Sequence, residues 1–137
     1  METLTATKTN IEVVQQGFAD FGSGNITGIT DACTNGVTWG SWENSSVPYA
    51  QTYRGKEGVA TFFKTLSDTV TYTAFEPKEF HAAGNKVFVK VYHAGTVKAT
   101  GKSFAHDTLM EFTIEDEKIR NYFAYVDTYD QVKAFAQ

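Results

Sequence analysis

Three segments in the second half of the chain alternate between apolar and polar residues, and this pattern constrains the fold more than any other feature. They cover residues 87–97, 102–114 and 119–127, and a segment rich in threonine and aromatic residues, 70–80, precedes them. A period of two residues is typical of strands with one buried face. Short turn sequences separate the segments, so the pattern predicts four strands in an antiparallel meander.

The turn between the last two segments determines which residues oppose each other. A two-residue turn at 116–117 pairs Ile114 with Ile119 and, farther along the strands, His106 with Asp127. Directly opposed residues point to the same side of a sheet. The sequence therefore predicts an imidazole beside a carboxylate at the end of a largely apolar stripe. Such a pair can move protons inside a cavity, whereas on the surface it is a weak ion pair.

A second turn, at 100–101, adds another histidine to the same face. Folding about this turn places His93 opposite Thr108 and diagonal to His106. Two histidines with the carboxylate of Asp127 match one arrangement that binds transition metals. Because the three residues lack a ligand-spacing motif, no metal site is predicted.

Helical periodicity predicts helices before the meander and one after it. Thr9 and Glu12 have the spacing of a capping box at the start of the first helix. The other predicted elements are helices at 26–33, 55–66 and 128–136 and a strand at 36–42. Helices that precede a long antiparallel sheet indicate an α+β fold. We expect a single domain, residues 1–137, in which a curved antiparallel sheet wraps the N-terminal helices as a cone with a pocket at its open end.

Composition excludes several classes of partner. The chain has 11 phenylalanines and 7 tyrosines, which favours an aromatic-lined cavity or an aromatic subunit interface. Its net charge of −4 and the absence of a basic patch argue against nucleic acid and anionic membranes as partners. The single cysteine, Cys33, cannot form an internal disulfide. The first ten residues are polar and no apolar run is long enough to span a bilayer, so the expected location is cytoplasmic.

Four motifs carry a resemblance to a known superfamily. They are FADFGSGNITGI at the end of the first helix, GVTW in the first strand, YRGKEGVATFFKTL, and FTIEDEKIRNYFAYVD in the closing hairpin. Together they resemble the NTF2-like superfamily, and within it the SnoaL-like, ketosteroid-isomerase-like group. The resemblance covers nearly the whole chain and implies a cone fold, a homodimer, an internal pocket for a hydrophobic small molecule, and no required cofactor.

Within this group, the resemblance distinguishes between two kinds of site. Steroid isomerases place a general-base aspartate just after the first strand, where this chain reads Gly-Ser-Trp-Glu at 40–43. They also use a tyrosine on the first helix, where this chain has Gly17 and Phe18. Polyketide cyclases instead keep an aspartate at the end of the last strand and a histidine on its neighbour. Asp127 and His106 match that second arrangement.

The resulting hypothesis gives Asp127 the role of a general base beside a substrate carbonyl, with His106 as its partner or acid. The alternative role for Asp127 is a helix N-cap. Trp39, His93, Thr108 and Tyr125 are predicted to line the ligand pocket. The resemblance adds Tyr53 and Phe62 to the pocket wall.

The predicted activity is isomerisation, cyclisation or dehydration of a hydrophobic carbonyl compound without a cofactor. Two alternatives remain open: a non-catalytic binder of a hydrophobic small molecule, and a dimeric interaction domain. Residues 43–53 are expected to form a loop at the pocket edge.

Overall fold

The computed structural model describes residues 8–137. The first seven residues, part of the polar start and of the predicted domain, lie outside the described residues. In chain order the elements are α1 (Asn10–Gly22), α2 (Ile26–Asp31), β1 (Cys33–Ser41), β2 (Tyr53–Arg54), α3 (Gly55–Thr69), β3 (Val70–Ala83), β4 (Lys86–Val97), β5 (Ser103–Glu115), β6 (Lys118–Tyr125) and α4 (Thr128–Phe135).

The strands form one curved, unclosed sheet in the order β2-β1-β6-β5-β4-β3. Strands β3 to β6 form the antiparallel meander that the sequence predicts. Strand β1 pairs antiparallel with β2 but runs parallel to β6. The predicted α+β cone is confirmed, except that one strand pair is parallel.

Helix α1 lies across the sheet and begins where the sequence predicts. The Thr9 hydroxyl accepts from the backbone N–H of Glu12 at 3.1 Å, and the Glu12 carboxylate accepts from the Thr9 N–H at 2.9 Å. This capping box satisfies two N–H groups at the helix end. The inner face of α1 places Phe18 and Phe21 against Phe75 of β3, with ring centroids 6.1 and 4.7 Å apart. The packing fixes α1 above the strands that carry the two histidines.

The pairing of β4 with β5 differs by two residues from the sequence prediction. His93 lies opposite His106, whereas Thr108 lies opposite Val91. The strands end at Val97 and resume at Ser103, so the connection is longer than the predicted two-residue turn. A shift of two residues preserves the face of every side chain. Both histidines therefore stay on the predicted apolar face, now directly opposed.

The pairing of β5 with β6 begins as predicted and then shifts by one residue. Ile114 lies opposite Ile119, but Met110 lies opposite Ala124 because the register shifts between Thr113 and Ile114. This bulge leaves the residue after Ile119 without a ladder partner, and a one-residue shift inverts the faces of the rest of the strand. The predicted pairing of His106 with Asp127 is therefore wrong.

The segment between β1 and β2 folds inward. Val47 and Tyr49 are buried, and they pack with Ala134 of α4 in a second apolar cluster. The Tyr49 hydroxyl donates to Oε1 of Gln131 on α4 at 3.0 Å, so this loop is fastened to the last helix. Among residues 8–137, no helix is both long and apolar enough to cross a membrane.

Candidate functional site

A cavity of about 80 Å³ lies between the helices and the concave face of the sheet. Its walls come from all four helices, from β1 and β3 to β6, and from the loop between β1 and β2, and about half of the lining residues are aromatic, among them Phe18, Trp39, Phe62, Phe63, Tyr72 and Tyr122. Its polar side chains are Ser41, Trp39, Tyr49, Tyr72, His93, Tyr122 and Gln131. Among the described lining residues there is no Asp, Glu, Lys or Arg.

Among the titratable side chains that line this cavity, His93 is the one best suited to acid–base chemistry. It is 3% exposed, and its ring stacks on Tyr72 with centroids 5.9 Å apart. Its Nε2 lies 2.9 Å from Nε2 of His106, the residue directly opposite on β5. Its Nδ1 is buried and has no hydrogen-bond partner among the described residues. One ring nitrogen is thus engaged, and the other is unpaired on a residue that lines the cavity.

The second histidine connects His93 to a carboxylate near the surface. Nδ1 of His106 lies 2.9 Å from Oδ2 of Asp130, in the first turn of α4. The same carboxylate oxygen accepts from the backbone N–H of Ala105 at 2.9 Å. Burial raises the pKa of Asp130, but the hydrogen bonds from His106 and Ala105 outweigh it and lower the pKa. We refer to Asp130, His106 and His93 as the Asp–His–His triad.

The carboxylate sets the direction of the hydrogen bonds through this triad. When Asp130 is ionised and His106 carries a single ring proton, Asp130 accepts a hydrogen bond from Nδ1–H of His106, and His106 presents a bare Nε2. His93 must then donate from its own Nε2, which leaves its Nδ1 as an acceptor with a free lone pair. Burial, followed by the electrostatic influence of His106, lowers the pKa of His93 from 6.5 to about 3. His93 therefore rests in the neutral form.

In the triad, His93 is the buried base, and His106 is the residue that can carry the positive charge. A proton received at Nδ1 of His93 allows the proton on its Nε2 to move to His106. The positive charge then lies on His106, next to the Asp130 carboxylate, instead of in the apolar cavity. A base that is weak on its own can act in this way because the charge leaves the buried ring.

Other polar groups at the cavity can donate. The indole N–H of Trp39 is buried without a hydrogen-bond partner among the described residues. Burial raises the pKa of Tyr72 and Tyr122 far above the ordinary value, so their hydroxyls keep their protons. Neutral donors in a dry cavity can stabilise charge that develops on a substrate oxygen.

The structure brings together only part of the predicted site. His93, Trp39 and Phe62 line the cavity, and His106 contacts His93. Asp127 is the N-cap of α4, where its carboxylate accepts from the Asp130 N–H at 3.0 Å.

Three predicted pocket residues lie outside the cavity wall. Tyr53 is buried against Phe62, and the Thr108 hydroxyl donates to the carbonyl of Tyr125 at 2.9 Å. Tyr125 points outward and is 52% exposed, because the bulge in β6 inverts its face. Its inward neighbours, Tyr122 and Ala124, take its place in the cavity.

Sequence reasoning missed Asp130, Gln131 and Tyr49. One local pattern could have indicated the role of Asp130. Asp127 and Asp130 have the spacing of an N-cap residue and the third residue of a helix, which assigns Asp127 to the cap. Reading Asp127 as the cap would have left Asp130 free for other contacts. The Tyr49–Gln131 hydrogen bond spans 82 residues and has no local signal.

The arrangement defines a class: small α+β domains in which a curved sheet and helices enclose an aromatic cavity. The model of the SnoaL-like domain matches residues 14–122, and the chain belongs to this family. A search of curated proteins gave no match.

Several solved structures share this fold. An NTF2-like protein from Burkholderia xenovorans is 28% identical over 96% of this chain and all of its own, with a TM-score of 0.86. TerC, co-crystallised with polyporic acid, is 22% identical over 92% of this chain and 97% of its own, with a TM-score of 0.82. A ketosteroid-isomerase-like protein from Catenulispora acidiphila, in complex with trimethylamine, is 15% identical over 92% of this chain and 93% of its own, with a TM-score of 0.76.

Proposed function

We propose that this protein binds a hydrophobic carbonyl compound in its cavity and catalyses proton transfer on it, as an isomerase, cyclase or dehydratase that needs no cofactor. The observation that carries this proposal is the Asp–His–His triad, which ends in a buried, unpartnered nitrogen of a residue that lines an apolar cavity. Perturbed titratable groups in a cleft are typical of acid–base sites. Two structures of the same fold hold small molecules, which supports the binding part of the proposal.

The proposed step is removal of a proton from the carbon next to the carbonyl group. Nδ1 of His93 accepts this proton, and the Nε2 proton of His93 passes to His106, which Asp130 stabilises. The electron pair of the broken C–H bond moves onto the carbonyl oxygen, giving an enolate. Return of the proton at the same or another carbon completes an exchange or an isomerisation. A well-placed base contributes roughly 10²–10⁴-fold to the rate of such a step.

Exchange of α-hydrogens for deuterium tests this step without knowledge of the natural substrate. We expect the protein to accelerate deuterium incorporation into cyclohexanone in D₂O, observed by NMR. His93→Gln should lower the accelerated rate by about 10²-fold or more, because the base is lost. Asp130→Asn should lower it by about 10- to 100-fold, because a charge-assisted hydrogen bond to His106 becomes neutral.

Asp127→Asn is the matched control and also tests the role that the sequence predicts for Asp127. Asparagine is as good an N-cap as aspartate, so helix α4 is preserved. We expect the exchange rate of this variant to stay within about two-fold of wild type. A loss as large as that of Asp130→Asn would restore Asp127 as the acting carboxylate. Binding of the ketone without accelerated exchange would identify a non-catalytic binder.

The resemblance to the NTF2-like superfamily implies a homodimer, and we propose the outer face of the sheet as its interface. Leu109 and Tyr125 lie opposite each other on β5 and β6 and are 42% and 52% exposed. Phe123 extends this apolar patch, with its ring centroid 4.8 Å from that of Tyr125. A contiguous apolar patch on an otherwise polar surface is typical of an interface.

The cytoplasmic location stays a prediction.

A further inference from the structure

The chemistry of the cavity restricts which molecules it can bind, and the first restriction comes from the unpaired nitrogen of His93. Its Nδ1 is buried and has no partner among residues 8–137. More than about 90% of buried polar groups in proteins have a hydrogen-bond partner, because an unpaired group loses its hydration without compensation. A ligand that pairs with this atom therefore gains a hydrogen bond that the protein does not supply.

The triad determines the kind of partner that Nδ1 needs. With Asp130 ionised and His106 neutral, the proton of His93 lies on Nε2, between the two rings. Nδ1 then carries a lone pair and can only accept. The matching group on the ligand is a donor, such as a hydroxyl or an N–H group.

The lining also excludes a charged ligand. None of the described lining residues is an Asp, Glu, Lys or Arg, and about half of them are aromatic. Burial of an ion without a partner of opposite charge is strongly unfavourable. The ligand must therefore enter the cavity uncharged.

The size of the cavity favours a compact ligand. Its volume is about 80 Å³, whereas an apolar cavity of about 150 Å³ holds a benzene molecule. A single six-membered ring thus needs an outward movement of the aromatic walls. A much larger molecule would need the loop that carries Tyr49 to open, since Tyr49 lines the cavity and is bonded to Gln131.

We propose that the cavity selects an uncharged, largely apolar ring compound that donates one hydrogen bond, from a weakly acidic O–H or N–H group, to Nδ1 of His93. This inference rests on the proposed function in one respect, since it takes the cavity as the ligand site. A ligand bound in this way occupies the nitrogen that the proposed step uses as its base, so the donor ligand and the reacting ketone are alternative occupants of the cavity. It adds the charge of the ligand, its polar group and the atom of the protein that recognises this group.

Four probes of similar size separate the parts of this inference: phenol, toluene, benzoate and benzylammonium. Titration calorimetry should show that phenol binds about five- to ten-fold more tightly than toluene, because only phenol donates to Nδ1. Benzoate and benzylammonium should bind at least about 100-fold more weakly than phenol, because their charges are unpaired. Equal binding of phenol and toluene, tight binding of benzoate, or no binding of any probe would each overturn the inference.

A variant and a matched control locate the effect. His93→Phe should bind phenol and toluene equally, because it keeps the ring volume and removes the acceptor. His81→Phe changes a histidine whose side chain is 70% exposed, and it should keep the preference of the wild type. A phenol preference that survives in His93→Phe would overturn the assignment of this atom.

A measurement on the wild type covers the case in which His93→Phe does not fold. The ¹⁵N signal of His93 Nδ1 should shift towards the hydrogen-bonded position when phenol is added and stay in place when toluene is added. An unchanged signal with phenol bound contradicts the inference. A phenol-induced shift of this signal together with no deuterium exchange in cyclohexanone would contradict the proposed catalysis but would support this class of ligand.

Discussion

At the scale of single residues, the site depends on a histidine that is kept neutral by its surroundings. His93 is 3% exposed and its pKa falls from 6.5 to about 3, first because of burial and then because of His106. The unfolded chain would bind a proton at His93 near pH 6.5, whereas the folded protein would not. This difference links the protonation of one buried ring to the stability of the whole protein.

The free energy of unfolding should therefore fall as the pH is lowered from about 7 towards about 4.5. In this window the unfolded state binds more protons than the folded state, so stability decreases with a slope of up to about 1.4 kcal/mol per pH unit. Urea denaturation at several pH values measures this slope. His93→Phe should show a shallower slope, and His81→Phe should keep the slope of the wild type. An identical slope in all three proteins would contradict the neutral state of His93.

The candidate site shows which residue-scale features a sequence can reveal. The alternation of β4 and β5 predicts that His93 and His106 share an apolar face, and both lie on it. The carboxylate that completes the site is Asp130, not Asp127. Asp130 reaches His106 because α4 packs back on the start of β5. That contact is tertiary, so local spacing could not predict it.

At the scale of elements, one bulge accounts for the main error of the sequence prediction. After Ile119, strand β6 offers two apolar patterns, because Phe123 and Tyr125 alternate with Tyr122 and Ala124. Either set can fill an aromatic core, so alternation alone does not choose between them. The bulge selects Tyr122 and Ala124, which are 7% and 5% exposed. Bulges often redirect side chains beside functional sites, and here the bulge turns Tyr122 into the cavity.

The loop between β1 and β2 should depend on its buried hydrogen bond to α4. Tyr49 is 6% exposed, and Tyr49→Phe removes the donor to Gln131 while keeping the ring. The Gln131 oxygen is then buried without a partner, which should lower the free energy of unfolding by about 1–3 kcal/mol. Urea denaturation measures the loss.

Tyr129→Phe provides the control for this loop, since Tyr129 is on the same helix as Gln131 but 74% exposed. Its stability should stay within about 0.5 kcal/mol of the wild type. Equal stability of the two variants would mean that the hydrogen bond does not hold the loop.

At the scale of the whole molecule, the fold is largely predictable because its elements are strongly patterned. The capping box at Thr9 and the turn at 116–117 both form as the sequence predicts. The long strands alternate over ten or more residues, so one face must be covered by the helices. The parallel pairing of β1 with β6 was not predicted, since it joins segments from opposite ends of the chain.

The outer face of the sheet carries exposed apolar side chains, and this face leads to the last prediction. Leu109, Phe123 and Tyr125 lie there together, and Leu109 stands opposite Lys90 of β4. If two copies of the chain join through this patch, a carboxylate at position 109 must leave water, and the cost of its desolvation exceeds its attraction to Lys90 on the neighbouring strand. Leu109→Glu should therefore convert a dimer into a monomer at micromolar concentration, as measured by light scattering after size exclusion. The variant should stay folded, because Leu109 is 42% exposed in the single chain. Tyr129→Glu places the same charge on α4, away from the patch, and should leave the dimer intact. A monomeric wild type, or a Leu109→Glu variant that remains dimeric, would exclude this face as the interface.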